Sequence, residues 1–173
     1  MARMKAAAIA TVALFIIFGL SSLFPMSGGE AEKLTEELQG LTKGNVELNI
    51  FSNNLAVSLL AYIPFAGPVI MGYAVFNTGR YIGWLSAQSG LHPIILVSAS
   101  IIALYGVFEF LGYGVATAES ITLSYYIIRS RRMLRGEVKT LIVCLAASTI
   151  FLLAGALIEG VLIRVIKTPT TII

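Results

Sequence analysis

Nineteen uncharged residues follow one another without a break from Ala6 to Phe24. As a helix, a run of that length covers a hydrocarbon core of about 30 Å. Arg3 and Lys5 precede it. A secretory signal also begins basic and turns apolar, but this run is longer than such a core, and the pattern predicts a retained first membrane helix within residues 1–24.

The pattern then changes. Residues 25–50 carry Glu30, Glu32, Glu36, Glu37 and Glu47 against Lys33 and Lys43. Ser27-Gly28-Gly29-Glu30 has the spacing of a capping box, which satisfies free amides at a helix start. Ala31, Leu34, Leu38 and Leu41 recur on one helical face, and Gly40 and Gly44 bracket the end. A short amphipathic helix over about 29–41 is expected, lying on the membrane surface or on the other helices. Its outer face could dock a membrane or envelope protein.

From 55 to 128 the only charges are Arg80, Glu109 and Glu119. Arg129–Lys139 then sets five basic residues against one acid, and residues 140–163 form a last apolar run closed by Arg164 and Lys167. Positive charge in short loops marks the cytoplasmic side. The N-terminus and the 129–139 loop are therefore expected inside, and the acidic 25–50 segment outside. An odd number of crossings must join residue 50 to residue 129. One helix of about 20 residues cannot absorb that stretch, and three can.

The expected fold is all-α, a transmembrane bundle of about five helices, some of them interrupted. Residues 51–167 form its helical membrane domain, and a short extracytoplasmic tail follows at 168–173. Two divisions of the middle three helices compete. Arg80 favours the inner surface, which suggests spans near 55–77, 81–103 and 105–128. The prolines favour breaks at Pro64–Pro68 and Gly90–Pro93, with spans near 50–64, 68–89 and 93–128.

Composition supports the membrane reading. Apolar residues make up 57% and charged residues 12% of the 173, with a mean hydropathy of +0.88; soluble domains carry about 25% charge. The net charge of +3 then sets orientation and does not point to nucleic acid. All nine acids are glutamates, with one histidine, one cysteine and no aspartate. A Cys/His zinc cluster and a Ser-His-Asp triad are excluded. No enzyme activity, cofactor or metal is expected.

A charge inside a bilayer is costly and marks a functional candidate. Glu109 is the leading one, as a proton or cation site, a partner for Arg80, or a structural acid. Arg80 beside Asn77 can snorkel to the interface. Glu159 is expected at an outer boundary. His92, before Pro93, reads as a helix cap, and Cys144 as a small packing residue. Gly112/Ala116 and Gly114/Ala118 are small-xxx-small pairs that let helices approach closely. With so little core in so small a bundle, they suggest a homo-oligomer.

Taken in order, four segments resemble the stage II sporulation protein M family of bacterial and archaeal membrane proteins. They are Ile50-Phe51-Ser52-Asn53-Asn54-Leu55, Phe76-Asn77-Thr78-Gly79 with Gly83 beyond, Tyr105-Gly106-Val107-Phe108-Glu109, and Ala156-Leu157-Ile158-Glu159-Gly160. The likeness covers roughly residues 45–165. Leu104-Tyr105 stands where the family shows Pro-His, and Thr78 separates an Asn-Gly pair. The resemblance implies a small polytopic protein without established enzymatic activity, with Asn53, Asn54, Asn77, Gly106, Glu109 and Glu159 as the matching positions.

The functional expectation is a non-enzymatic, oligomeric scaffold or assembly component whose partners are the bilayer, further copies of itself and a protein bound through residues 29–41. The alternative is a small channel or transporter with Glu109 and Arg80 on a polar path. A cavity reaching Glu109 favours the alternative.

Overall fold

A computed structural model describes residues 2–129, 134 and 136–167. The described residues form helices and no strands. The helices are α1 (Ala2–Ser21), α2 (Gly28–Leu41), α3 (Val46–Ala61), α4 (Gly67–Ser89), α5 (Pro93–Ile102), α6 (Tyr105–Arg129) and α7 (Val138–Lys167). Part of the basic stretch (130–133 and 135) and the 168–173 tail lie outside the described residues.

Contacts at the helix ends fix the directions. At one end, Arg3 of α1 pairs with Glu119 of α6 and with Glu137 just before α7. There too the α3–α4 turn meets α6, as Ser120 donates to the Ile63 carbonyl at 2.6 Å and Phe65 N–H donates to Ser124 at 2.7 Å. At the other end, Gly79 and Gly83 of α4 lie against Phe18, Ser21 and Ser22 at the close of α1. Glu47, opening α3, pairs with Arg164 near the end of α7. Helices α1, α4 and α7 therefore run one way, and α3 and α6 the other. Helix α5 folds back from α4 at 118°, at the end where α2 lies.

Helix α6 is the axis, packed mainly between α1 and α7. It buries Phe110, Tyr113, Ala116 and Glu119. Phe110 stacks on Phe15 with centroids 4.2 Å apart, and Leu152 of α7, fully buried, fills the space over Gly112. A Cβ at Gly114 would overlap the Thr11 side chain. The small-residue faces at Gly112/Ala116 and Gly114/Ala118 thus pack helices as expected, but within one chain.

Two helices are long and apolar enough to cross a membrane, Arg3–Ser21 and Val138–Val165, and a third if the bent α4–α5 pair counts as one span. Helices wrapped by other helices have no need of an apolar composition. That is why α6, 25 residues long, carries Glu109 and Glu119 while its sheath, α1 and α7, reads as apolar.

The division preferred on the position of Arg80 fails at that residue, where α4 runs on unbroken, but its third span, 105–128, matches α6; the breaks before α4 and α5 follow the prolines. Gly67-Pro68 opens α4 and Pro93 opens α5, where a missing N–H costs nothing. Gly90 closes α4 with φ 70°, a left-handed cap that suits glycine. His92 caps α5, its Nδ1 accepting the Ile94 N–H at 3.3 Å. A further break falls at Ala103–Leu104, with Leu104 at φ 67°. A proline there, as the resemblance would have it, is barred because its ring holds φ near −65°. The capping box at Ser27 forms, and α2 spans 28–41 against the expected 29–41.

Candidate functional site

Glu109 lies just over one turn into α6. Gly106 brings that turn against the Ser100 carbonyl of α5, where a Cβ would stand 2.9 Å from the oxygen. Gly155 of α7 lets the Glu109 side chain lie close, 2.9 Å from where its Cβ would be. Asn54 of α3 donates its amide to Glu109 Oε1 at 2.5 Å. Glu159 of α7 lines the same space as Glu109. Two carboxylates brought near one another repel when both are charged.

Glu109 and Glu159 open onto a cavity of about 270 Å³. Every described helix contributes to its wall: Phe18 from α1, Leu38 and Leu41 from α2, Asn54 from α3, Tyr81 from α4, Ser100 from α5, Tyr113 from α6 and Glu159 from α7. The acids and Asn54 stand together on α3, α6 and α7. The opposite wall, from α1, α2 and α4, is mostly apolar and aromatic.

The expected residues divide. Asn54, Gly106, Glu109 and Glu159 come together. Asn53 is exposed and bonds Asn54 at 3.4 Å, also at the cavity. Asn77 is half-buried and does not line it. Arg80 is not on the path either: it pairs with Glu30 at 3.2 Å, with its guanidinium 6.0 Å from the Phe76 ring. Glu159, expected at an interface, faces the cavity. Tyr105 and Tyr113 were missed. With Glu109 they form an i, i+4, i+8 series on one stripe of α6, a signal already present in the sequence.

A second cluster, at the other end of the bundle, was missed entirely. Glu119, 2% exposed, receives Arg3 in a fork at 2.6 and 2.9 Å. Arg3 also reaches Glu137 and lies 6.0 Å from the Tyr126 ring, and Cys144 Sγ sits 3.6 Å from Glu119. The residues are 116 apart in sequence, so no local pattern announces them. Neither cluster groups three His, Cys or Glu side chains in a way that could hold a metal, among the described residues.

Over the cavity, Glu30 of α2 accepts the Ser27 N–H at 3.1 Å, the Ser27 hydroxyl at 3.0 Å and the Arg80 guanidinium. The backbone hydrogen bond first, then the hydroxyl and Arg80, hold its carboxyl below the usual glutamate range.

Comparisons with protein-family models, with curated proteins and with solved structures find no match.

Proposed function

We propose that this chain is a five-crossing membrane protein that binds and passes a cation or proton through the cavity at Glu109 and Glu159. The single observation that carries the reading is the placing of these two acids, from different helices, on one cavity walled by all seven described helices. A scaffold needs packed side chains at its centre. Paired carboxyls on an open space are costly to keep there and are what a proton or cation site requires.

In this reading α1, α4 and α7 cross outward and α3 and α6 cross inward, with the N-terminus cytoplasmic and the C-terminus outside. Helix α2 and the folded-back α5 lie at the outer face. All four segments that resemble the stage II sporulation protein M family supply polar residues to the cavity, Asn53 and Asn54, Thr78, Glu109, and Glu159, which supports treating it as the working site.

A second reading, an assembly component, draws on one observation: Glu32, Glu36 and Glu37 on α2 are all exposed and pair with no basic residue among the described residues. The experiment that separates the two is cation and proton flux into liposomes holding wild type, Glu109→Gln or Glu109→Leu, with size exclusion to check assembly. Flux that disappears in an assembled Gln variant supports passage. No flux in wild type, or normal flux in both variants, removes it.

A further inference from the structure

The ligand chemistry of this cavity can be narrowed. The cavity holds the room of about nine waters at about 30 Å³ each, more than a proton or a bare metal ion needs. Inorganic divalent cations ask for about six or more oxygens, and no cluster of three candidate ligands exists among the described residues. Most of the wall is apolar or aromatic, the mark of an organic ligand site, while the acids are gathered on one side.

Tyr113 supplies an independent sign. It is only 9% exposed and borders the cavity that Glu109 and Glu159 also line. Its ring packs against Phe110, yet its hydroxyl has no hydrogen-bond partner among the described residues. That oxygen keeps contact with open space, so a bound group can reach it.

Resting on the reading of this cavity as the working site, we propose that it binds a small primary amine in its ammonium form, with a short apolar body. An ammonium offers three N–H donors. Glu109, Glu159 and the Tyr113 oxygen offer three acceptors, with Asn54 holding Glu109 from behind. Phe18 and Tyr81 on the facing wall take the hydrocarbon part, and their ring faces favour the charge. The ammonium takes the place of whatever proton the two carboxyls hold, so amine and proton compete for the same oxygens.

The test is equilibrium binding to protein in nanodiscs, with empty nanodiscs subtracted, using phenethylamine, its neutral counterpart 2-phenylethanol, and tetramethylammonium, which has charge but no N–H. Saturable phenethylamine binding is expected, at least tenfold tighter than either comparison compound. Glu159→Gln should weaken it about tenfold, and Tyr113→Phe, which keeps the ring, several-fold. Equal binding of amine and alcohol, or an amine affinity indifferent to both substitutions, overturns the proposal. Should Glu159→Gln fail to fold, Tyr113→Phe and the wild-type amine-to-alcohol ratio decide. Cation flux lost in Glu109→Gln without phenethylamine binding sinks the amine and leaves the passage reading standing. Phenethylamine binding without any flux does the reverse.

Discussion

At the scale of single residues, Glu109 is held by one identified donor, the Asn54 amide, and lines the same space as Glu159. Glu109→Gln keeps the shape and a carbonyl acceptor, so the fold should survive. Glu109→Leu leaves the Asn54 amide without its acceptor, at a cost of about 1–3 kcal/mol. Thermal unfolding in detergent should rank wild type and Gln together, with Leu below. Close approach makes a second prediction. A methyl at Gly114 would run into Thr11, where α6 crosses α1, and overpacking of that kind costs about 1–3 kcal/mol. Gly114→Ala should lower the melting temperature, and adding Thr11→Ala should restore part of it. Leu104 offers the opposite case. It sits at φ 67° and is 55% exposed, so Leu104→Gly removes left-handed strain of about 1–2 kcal/mol while losing little burial. A melting temperature equal to or above wild type is expected.

Among the elements, what was legible in sequence was local. The Ser27–Glu30 box, the His92-Pro93 start of α5 and the length of α1 and α7 each depend on neighbours a few residues away. Arg80 misled because its partner is Glu30, fifty residues distant; a lone arginine in an apolar run looks like a border, whereas a paired one sits on a helix flank. Arg3 with Glu119 was invisible for the same reason. The spacing of Tyr105, Glu109 and Tyr113 was on the page, but only the fold says that this stripe meets Asn54 and Glu159. Two predictions belong at this scale. Removing one member of a buried ion pair leaves a stranded charge, at about 3–5 kcal/mol when fully buried. Arg3→Gln should therefore destabilise α1 against α6 more than the double variant Arg3→Gln/Glu119→Gln. For α2, the lowered Glu30 pKa fixes the sign of a pH effect. Its contribution is complete above the ordinary glutamate value near 4.5 and is lost as pH falls through the depressed value. Proteolysis of α2 should rise below that range in wild type, and Glu30→Gln should show the higher susceptibility already at neutral pH.

For the whole molecule, the arrangement is a central α6 carrying an acidic cluster towards each end, packed mainly between the long apolar helices α1 and α7. The cluster with Arg3 closes one end with an ion pair. The other end leaves Glu109 and Glu159 against a cavity covered by α2. On the proposed reading, the acids meet water from one side of a membrane and charge pairing closes the opposite side. Gly112 and Gly114 take part in packing inside the chain, and the passage reading needs no second copy.

The central claim is that water reaches the Glu109 cavity from the side where α2 lies. It is tested most directly by replacing Cys144 with Ser, placing a cysteine at Ser100 on the cavity wall, and labelling oriented proteoliposomes with a membrane-impermeant thiol reagent. A cysteine at Glu36 serves as the surface reference for α2. The account predicts that Ser100→Cys labels from the same side as Glu36→Cys, more slowly because Leu38 and Leu41 stand in the way, and from that side only. No labelling at position 100 while position 36 reacts fully, or labelling from the opposite side, would contradict it.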